Sequence, residues 1–380
     1  MDTLGYRKTK PLNKKQTAAV SYRACGGFGN GERFLYQGMN MKMIRTAALL
    51  AAGVFTLIAA PAQAGQTFDA VKAKGFVQCG ISTGIPGFSI IDSKGEATGL
   101  DVDLCKAIAI TMFNDAGKIK LTPLSTQQRF TALQSGEIDV LTRNTTQTLT
   151  RDTTLGLIGV GVNFYDSQGV MVKKDLGVKS AKELDGATIC VQPGTTTELN
   201  LTDWFRSNKL AFKPVVIDKF DEVIRTFASG RCDALTTDKS GLASVRTTME
   251  KPDEYEILPE NFSKEPLGPM VRQGDEQWFN VIRWTLNAMI EAEEYGITSG
   301  NVDDMSKSPN PNIQRILGTS PGMGKNLGVD EKWAYNIIRT VGNYGESFAR
   351  NVGADSTLKL ERGLNNTWHN GGLLYAMPVR

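Results

Sequence analysis

Residues 138–152 read IDVLTRNTTQTLTRD, a short apolar run followed by a loop that is rich in hydroxyl and amide side chains. The apolar residues predict a buried strand, and a polar loop at the carboxyl end of a strand lies where open α/β sheets bind ligands. Arg151, near the end of the stretch, offers a planar fork of N–H donors that matches a carboxylate. A solvated, Thr-rich turn would have the same composition. The stretch therefore predicts a ligand-binding edge only if other parts of the chain support it.

The overall composition narrows the class of protein. The chain has 380 residues and a formal net charge of +3, and this length is sufficient for two domains with a substantial core. The small charge, without a basic cluster that interleaves with aromatic residues, disfavours a nucleic-acid partner. Because His369 is the only histidine, a Ser–His–Asp triad and a histidine-rich metal site are both disfavoured. We therefore predict that the protein uses no metal and no cofactor.

The N-terminal region has the features of an export signal. Basic residues precede an apolar run at residues 47–60, and the small-residue sequence PAQA follows it. This order predicts a signal peptide over residues 41–64 that is cleaved before Gly65, and hence a periplasmic protein. The apolar run is short for a hydrocarbon core of about 30 Å, which disfavours a membrane anchor. We interpret residues 1–40 as an upstream extension that results from a start codon placed too early.

The cysteines beyond the predicted signal are even in number, which indicates disulfides in an exported chain. Four cysteines permit three pairings. Sequence separation favours one pair in each half of the chain, and a zinc site is the weaker alternative because no Cys-x-x-Cys spacing is present. The favoured pairs are Cys79 with Cys105 and Cys190 with Cys232.

Strand-like and helix-like segments alternate along most of the chain, which predicts an α/β fold with two consecutive sheets and a cleft between them. Asp101 is predicted to cap the helix that follows Gly99. Residues 278–295 are amphipathic, with apolar residues at helical spacing along one stripe, and we interpret this stripe as core packing. The last 80 residues are rich in Gly, Asn and Pro, and we predict helices there near residues 313–317 and 332–351.

The polar residues at the predicted strand ends fit one kind of solute, a free α-amino acid. Its carboxylate needs N–H and O–H donors with a cation, and its ammonium needs an anionic acceptor. Burial of either charge unpaired would cost several kcal/mol. Arg151 with Thr146 and Thr148 could bind the carboxylate, and Asp238 in the second unit could bind the ammonium. The other candidates are Phe88 and Ser89, which follow the first strand, and Thr195, Thr196 and Thr197, which precede a helix.

Each candidate residue also has a purely structural interpretation. Thr195 and its neighbours could cap the helix that follows them. Asp238 could pair with Lys239 or Arg246 on the surface, and Phe88 could belong to the core. The argument for a site is that all of these residues together match one zwitterion.

Several motifs resemble the bacterial family 3 solute-binding proteins, which serve polar amino acid ABC transporters. The resemblance covers residues 65–298, and a few features, including NTTQTLTRD, are most similar to the general L-amino acid-binding members. In order, the motifs are GLDVDLCKAIA at residues 99–109, LQSGEIDVL at 133–141, the Thr-rich loop up to Arg151, VQPGTTTE at 191–198 and GRCDALTTD at 230–238.

The resemblance implies a two-lobed periplasmic binding protein fold (type II) whose lobes close on a ligand. Each lobe would be a mixed sheet with flanking helices: residues 65–169 plus 267–300 form lobe 1, and residues 170–266 form lobe 2. Residues 301–380 would be a helical C-terminal extension that packs on lobe 1. The implied partners are a free L-amino acid and an inner-membrane ABC permease with its ATPase, and we expect a monomer.

The resemblance also assigns roles to individual residues. Arg151 and Thr146 would hold the α-carboxylate together with Thr196, Asp238 would hold the α-ammonium, and Phe88 would pack over the ligand side chain. Two departures from the family pattern favour broad specificity. Arg143 and Asn144 stand where many members have small serines, and Gln147 replaces an aliphatic residue.

The alternative function is enzymatic. Some relatives of this scaffold resemble periplasmic dehydratases of prephenate-like or arogenate-like acids. Others carry a wall-cleaving domain, but no motif around the glutamates of the C-terminal region supports such an activity.

Overall fold

The computed structural model describes residues 66–380. The predicted upstream extension, signal peptide and cleavage position lie outside the described residues. Within residues 66–380, no helix combines the length and the apolar character that a bilayer-spanning helix needs.

The strands are short and are distributed over the first three quarters of the chain. In chain order they are β1 (Val77–Ser82), β2 (Ile90–Ile91), β3 (Ala97–Thr98), β4 (Ile119–Leu124), β5 (Val140–Leu141), β6 (Leu157–Gly159), β7 (Phe164–Asp166), β8 (Gln168–Lys173), β9 (Ala187–Val191), β10 (Phe212–Val216), β11 (Ala234–Asp238), β12 (Tyr255–Ile257), β13 (Glu265–Leu267) and β14 (Met270–Arg272).

Helices alternate with these strands and continue to residue 351. In chain order they are α1 (Gln66–Lys74), α2 (Leu100–Phe113), α3 (Gln128–Ser135), α4 (Leu149–Thr154), α5 (Thr196–Ser207), α6 (Phe220–Ala228), α7 (Lys239–Thr248), α8 (Glu276–Glu294), α9 (Val302–Met305), α10 (Pro311–Ile316), α11 (Met323–Leu327), α12 (Trp333–Thr340) and α13 (Tyr344–Asn351).

Two five-stranded sheets organise the molecule, and in each of them four strands run in one direction and one strand, β14 or β8, runs antiparallel to its two neighbours. The first sheet has the order β4-β1-β5-β14-β6, and the second has the order β10-β9-β11-β8-β12. Strands β4, β1 and β5 run parallel, as do β10, β9 and β11. We refer to each sheet with its helices as a lobe. The prediction of an α/β fold with two mixed sheets and C-terminal helices is confirmed.

The two sheets are joined by a separate two-stranded ladder of β7 and β13, in which Tyr165 lies opposite Pro266. The first sheet takes β14 from the part of the chain that follows the second sheet. The chain therefore passes from the first lobe to the second and back again through this ladder.

The core of the first sheet explains the apolar sequence of β1. Val77, Cys79 and Ile81 are fully buried, as a strand covered by helices on both faces requires. Gly80 between them is needed for packing, because a Cβ atom there would lie 2.5 Å from the Ile138 side chain. A larger residue would therefore require the Ile138 and Leu124 side chains to shift.

Both disulfides join residues within one lobe. Cys79 in β1 is bonded to Cys105 in α2, and Cys190 in β9 is bonded to Cys232 just before β11. The pairing that sequence separation favoured is therefore confirmed.

The helix predicted over residues 332–351 is in fact two helices, α12 and α13. Gly342 breaks it with a φ of 88°, a conformation that favours glycine. Asn343 then starts α13 with a capping box, since its side chain accepts the Glu346 N–H while the Glu346 side chain accepts the Asn343 N–H.

The C-terminal helices pack on the first lobe, where α12 and α13 lie against α2 and α8. Asp103 of α2 anchors α13, since its Oδ2 accepts hydrogen bonds from Ser347 (2.6 Å), Arg350 (2.6 Å) and Asn351 (2.6 Å). Further along, the Asn365 amide bonds both backbone groups of Tyr165 in β7, accepting its N–H at 2.6 Å and donating to its carbonyl at 3.0 Å. The extension therefore contacts the ladder that joins the lobes.

Candidate ligand-binding site

A buried cavity of about 30 Å³ lies where the carboxyl ends of the parallel strands of both sheets meet. Residues of both lobes line it. The first lobe contributes Ile85, Thr126, Arg129, Arg143, Asn144 and Thr146, and the second contributes Gln192, Thr195, Thr196, Thr197, Phe220, Thr237, Asp238 and Gly241.

Two arginines give the wall of the first lobe its positive charge. Arg129, in the first turn of α3, is 3% exposed, and its Nε has no hydrogen-bond partner within residues 66–380. Arg143 follows β5, and its Nε donates to the Leu124 carbonyl at 3.2 Å. Burial lowers the pKa of both side chains, that of Arg143 to about 10, and the positive charges of Arg143 and Arg151 lower the pKa of Arg129 further. A bound anion would raise the pKa of both arginines back toward the ordinary value, and so stabilise their charged forms.

Asn144 presents an acceptor beside these arginines. Its Oδ1 is buried, and among the residues described it has no partner. Its backbone N–H donates to the carboxylate of Asp101 at 3.2 Å. An unpartnered buried acceptor is costly, so a ligand donor at this position would be stabilising.

Asp101 does not have the capping role predicted for it. Helix α2 starts at Leu100, and the cap position is occupied by Gly99 without a side-chain hydrogen bond. Asp101 is instead buried behind Asn144, where burial raises its pKa to about 7 against the opposing effects of the Asn144 hydrogen bond and the Arg143 charge. The tertiary contact with the loop after β5 has displaced the local capping interaction.

The wall of the second lobe is the start of α5. Gly194 turns the chain with a φ of 69°, and the Thr195 side chain caps the helix by accepting the Glu198 N–H at 3.1 Å. Thr196 and Thr197 also reach the cavity. This helix N-terminus presents its positive dipole end to the cavity, which favours an anion there.

Asp238 brings a negative charge to the same wall. It is the last residue of β11, is 6% exposed, and occupies the cap position of α7 without making a side-chain cap. Within residues 66–380 it forms no ion pair with Lys239 or Arg246, the alternative that the sequence left open. Burial raises the pKa of Asp238 well above its ordinary value, and the nearby carboxyls of Asp166 and Glu265 raise it further.

Hydrogen bonds across the cavity show that the lobes are closed. Thr146 and Thr196, from opposite lobes, lie 3.3 Å apart at their hydroxyls. Both donate to Oε2 of Glu265 in β13, at 2.5 and 3.0 Å. Thr126 of the first lobe, also on the cavity wall, donates to the Pro193 carbonyl of the second lobe at 3.0 Å. A cavity of this volume admits only water-sized molecules, so a larger ligand requires the lobes to separate.

The structure brings most of the predicted site residues together on the cavity wall. Both lobes are represented among them, and Asp238 faces two arginines across the gap. The predicted residues on the wall are Arg143, Asn144, Thr146, Thr195, Thr196, Thr197 and Asp238.

Arg151 and Thr148 lie behind that wall. The Arg151 guanidinium donates to the Thr146 carbonyl at 2.6 Å and lies 4.9 Å from the Phe130 ring centre. Thr148 caps the short helix α4 by accepting the Arg151 N–H. In the closed form Arg151 therefore supports the loop that carries Thr146, and its role as a direct carboxylate ligand stays a prediction.

Phe88 and Ser89 also lie off the cavity wall. Phe88 is 1% exposed and packs edge-on against Phe164, with ring centres 5.2 Å apart. The Ser89 hydroxyl pairs with the Ser82 hydroxyl at 2.6 Å. The Gly/Pro turn that precedes these residues presents Ile85 to the cavity instead.

The sequence reasoning missed Arg129 and Glu265. Arg129 had a usable signal, since an arginine in the first turn of a helix that follows a strand end is placed much as Arg151 is. Glu265 had none, because only the pairing of β13 with β7 brings it beside Thr146 and Thr196.

The fold and the cavity define a two-lobed solute-binding protein. Residues 77–299 match the bacterial extracellular solute-binding proteins, family 3. The chain belongs to this family and is therefore a solute-binding protein rather than an enzyme.

Similar proteins agree with this assignment. The general L-amino acid-binding periplasmic protein AapJ of Rhizobium johnstonii is 56% identical over 88% of this chain and 97% of that protein. The glutamate/glutamine/aspartate/asparagine-binding protein BztA of Rhodobacter capsulatus is 49% identical over 89% of this chain and all of that protein. A solved structure of an ABC transporter periplasmic binding protein from Brucella ovis with glutathione bound is 55% identical, with a TM-score of 0.81 over 83% of this chain and 99% of that one.

Proposed function

We propose that this protein captures free L-amino acids of several kinds in the cavity between its lobes and delivers them to an inner-membrane ABC permease. The observation that carries the proposal is the pair of opposite charges on one cavity, Arg129 from the first lobe and Asp238 from the second. The names of AapJ and BztA, which describe binding of L-amino acids, support it. A periplasmic location and a signal peptide cleaved before Gly65 belong to the same proposal.

The two charged groups of an amino acid find complementary atoms on the wall. The α-carboxylate would accept from Arg129 Nε and from the N–H groups at the start of α5. The α-ammonium would donate to the Asp238 carboxylate and to Asn144 Oδ1. Both of these unpartnered atoms, Arg129 Nε and Asn144 Oδ1, would then be satisfied. Neither lobe carries the complete set, so a bound amino acid links the lobes and favours the closed form.

The hinge of this movement is the ladder of β7 and β13. We propose lobe 1 as residues 65–169 plus 267–300, lobe 2 as residues 170–266, and the extension as residues 301–380. A hinge of two short strands allows rotation without disturbing either sheet.

The polar character of the wall supports broad specificity. Arg143, Gln192 and Thr126 offer both charge and hydrogen bonds to a ligand side chain, whereas Ile85 and Phe220 offer apolar contact. Acidic and amide side chains suit Arg143 best.

Calorimetry on purified, ligand-stripped protein tests the proposal. We expect several L-amino acids to bind at micromolar concentration or tighter, which corresponds to about −8 kcal/mol. N-acetyl amino acids lack the ammonium and amino acid amides lack the carboxylate, so neither should bind. Absence of heat with every amino acid, or equal binding of the blocked analogues, would contradict it.

A further inference from the structure

A second and larger cavity lies behind helix α7. It measures about 840 Å³ and is bordered by β7, by α7 and by residues 360–365 of the C-terminal extension. We refer to this cavity as the groove and to residues 360–365 as the tail wall. The groove and the ligand cavity share no lining residue.

Helix α7 separates the two cavities. Gly241 faces the ligand cavity, whereas Lys239, Ala243 and Arg246 face the groove. Lys239 and Ala243 are each two residues from Gly241 and hence about 200° around the helix. The groove and the ligand cavity therefore lie on opposite faces of α7.

The walls of the groove belong to different lobes. Helix α7 packs on β8 and β11 of the second sheet. The tail wall is held to the first lobe by an ion pair of Arg362 with Glu293 of α8, at 2.9 Å. Because the two cavities lie on opposite faces of α7, a rotation about the ladder of β7 and β13 that moves α7 away from the first lobe at the ligand cavity would move it toward the tail wall and narrow the groove.

Apart from Arg362, which is paired with Glu293, the one charged residue of the tail wall is opposite in sign to the charged residues of α7 that line the groove. Glu361 of the tail wall and Arg246 of α7 both line the groove and are both exposed. In the closed form, neither forms an ion pair with any residue between 66 and 380. Narrowing of the groove would bring these two charges together.

We propose that the tail wall is the stop that limits how far the lobes open, and that Glu361 and Arg246 pair in the open form. The pair stabilises the open form only, so it lowers the affinity for a ligand that binds the closed form. Both residues thus set affinity without contacting the ligand. The measurement of ligand affinity in this test rests on the proposed function, the binding of amino acids between the lobes.

Charge reversal tests the pairing. Glu361→Arg and Arg246→Glu each replace attraction with repulsion in the open form, so each should raise amino acid affinity about three- to tenfold. The double variant restores opposite charges and should return to the wild-type affinity. The same three variants, studied without ligand by small-angle X-ray scattering, should show a smaller radius of gyration for the single variants and the wild-type value for the double.

The exposed pair Lys251 and Glu254 lies on the second lobe outside the groove, so Glu254→Lys is a matched control that should change neither readout. The proposal that the tail wall limits opening would be wrong if the single variants left the radius of gyration unchanged. It would also be wrong if the double variant did not return to the wild-type value. Scattering is measured without ligand, so it tests the stop even if no amino acid binds.

Discussion

Buried arginines near the cavity differ in whether their polar atoms already have partners. Arg151 and Arg129 are both less than a tenth exposed. The Arg151 guanidinium bonds the Thr146 carbonyl. Arg129 lines the cavity and donates from Nη1 to the Thr145 hydroxyl at 3.4 Å, but its Nε has no partner among residues 66–380. An unsatisfied buried donor costs free energy that a ligand can recover, so Arg129 is the better candidate for direct contact in the closed form.

Replacement of Arg129 by Lys tests this difference. Lysine keeps the positive charge but lacks the planar N–H fork. The loss of a hydrogen bond to a charged ligand costs about 1.5–3 kcal/mol, so every amino acid should bind about 10- to 100-fold more weakly in calorimetry. Arg315→Lys, outside the cavity, is the control and should bind normally. If Arg129→Lys bound amino acids with unchanged affinity, Arg129 would not be a direct ligand contact.

The raised pKa of Asp238 predicts a pH dependence of binding. In the closed form, burial and the carboxyls of Asp166 and Glu265 favour the protonated acid, although Arg129 and Arg151 oppose them. The ligand ammonium pairs with the ionised form, so protonation of Asp238 competes with binding. Affinity should therefore weaken as pH falls from 8 to 5, and binding should release the proton that Asp238 carries beforehand.

Calorimetry in two buffers of different ionisation enthalpy measures that proton. The pKa of Asp101, about 7, lies in the same pH range, so Asp101→Asn separates the two carboxyls and should leave the pH dependence of affinity in place. Affinity that does not change between pH 8 and pH 5 would show that Asp238 is already ionised before binding.

Helix α2 is the element that connects the site to the C-terminal extension. Asp101 near its start supports Asn144 on the cavity wall, and Cys105 forms a disulfide with β1. Two residues further along, and hence on nearly the opposite side of the helix, Asp103 accepts hydrogen bonds from α13. The family motif in α2 therefore supplies the residues that connect this helix to the first sheet, to the cavity wall and to the C-terminal extension.

Removal of the Asp103 carboxylate should loosen the extension. Asp103→Ala leaves three donors of α13 without their acceptor, so we expect a loss of about 2 kcal/mol in the free energy of unfolding, measured in urea. Asp69→Ala, at an exposed position of α1, should change it by less than about 0.5 kcal/mol. Equal stability of both variants would mean that α13 is held by apolar packing alone.

Element boundaries followed the sequence where local signals were strong. The apolar stripe predicted over residues 278–295 corresponds to α8 (Glu276–Glu294) within two residues at each end. The long helix predicted near the C-terminus failed at Gly342, because a left-handed glycine and the capping of α13 by Asn343 interrupt it. Both signals are local and can be seen in the sequence, since Gly342 is followed by Asn343 and, three residues later, by Glu346.

On the scale of the whole molecule, the closed conformation combines several contacts distant in sequence. Thr146 meets Thr196, and Ser244 of α7 donates to the Pro86 carbonyl at 2.7 Å. On the far side of the hinge, Asn365 completes the outer edge of β7 by bonding Tyr165. Opening must break the first two contacts, while the extension remains attached to the hinge strand.

The sequence by itself determined the two-sheet α/β fold and the family, because these depend on local periodicity and motif order. It favoured the observed disulfide pairs among three possible pairings, and the structure settled them. Only the tertiary structure decided which arginine faces the cavity, that Ile85 replaces Phe88 on its wall, and that the C-terminal extension reaches the hinge. The physical reason is that the partners of a side chain can lie 200 or more positions away in the sequence, as for Tyr165 and Asn365. The spacing of residues along the sequence does not indicate such contacts.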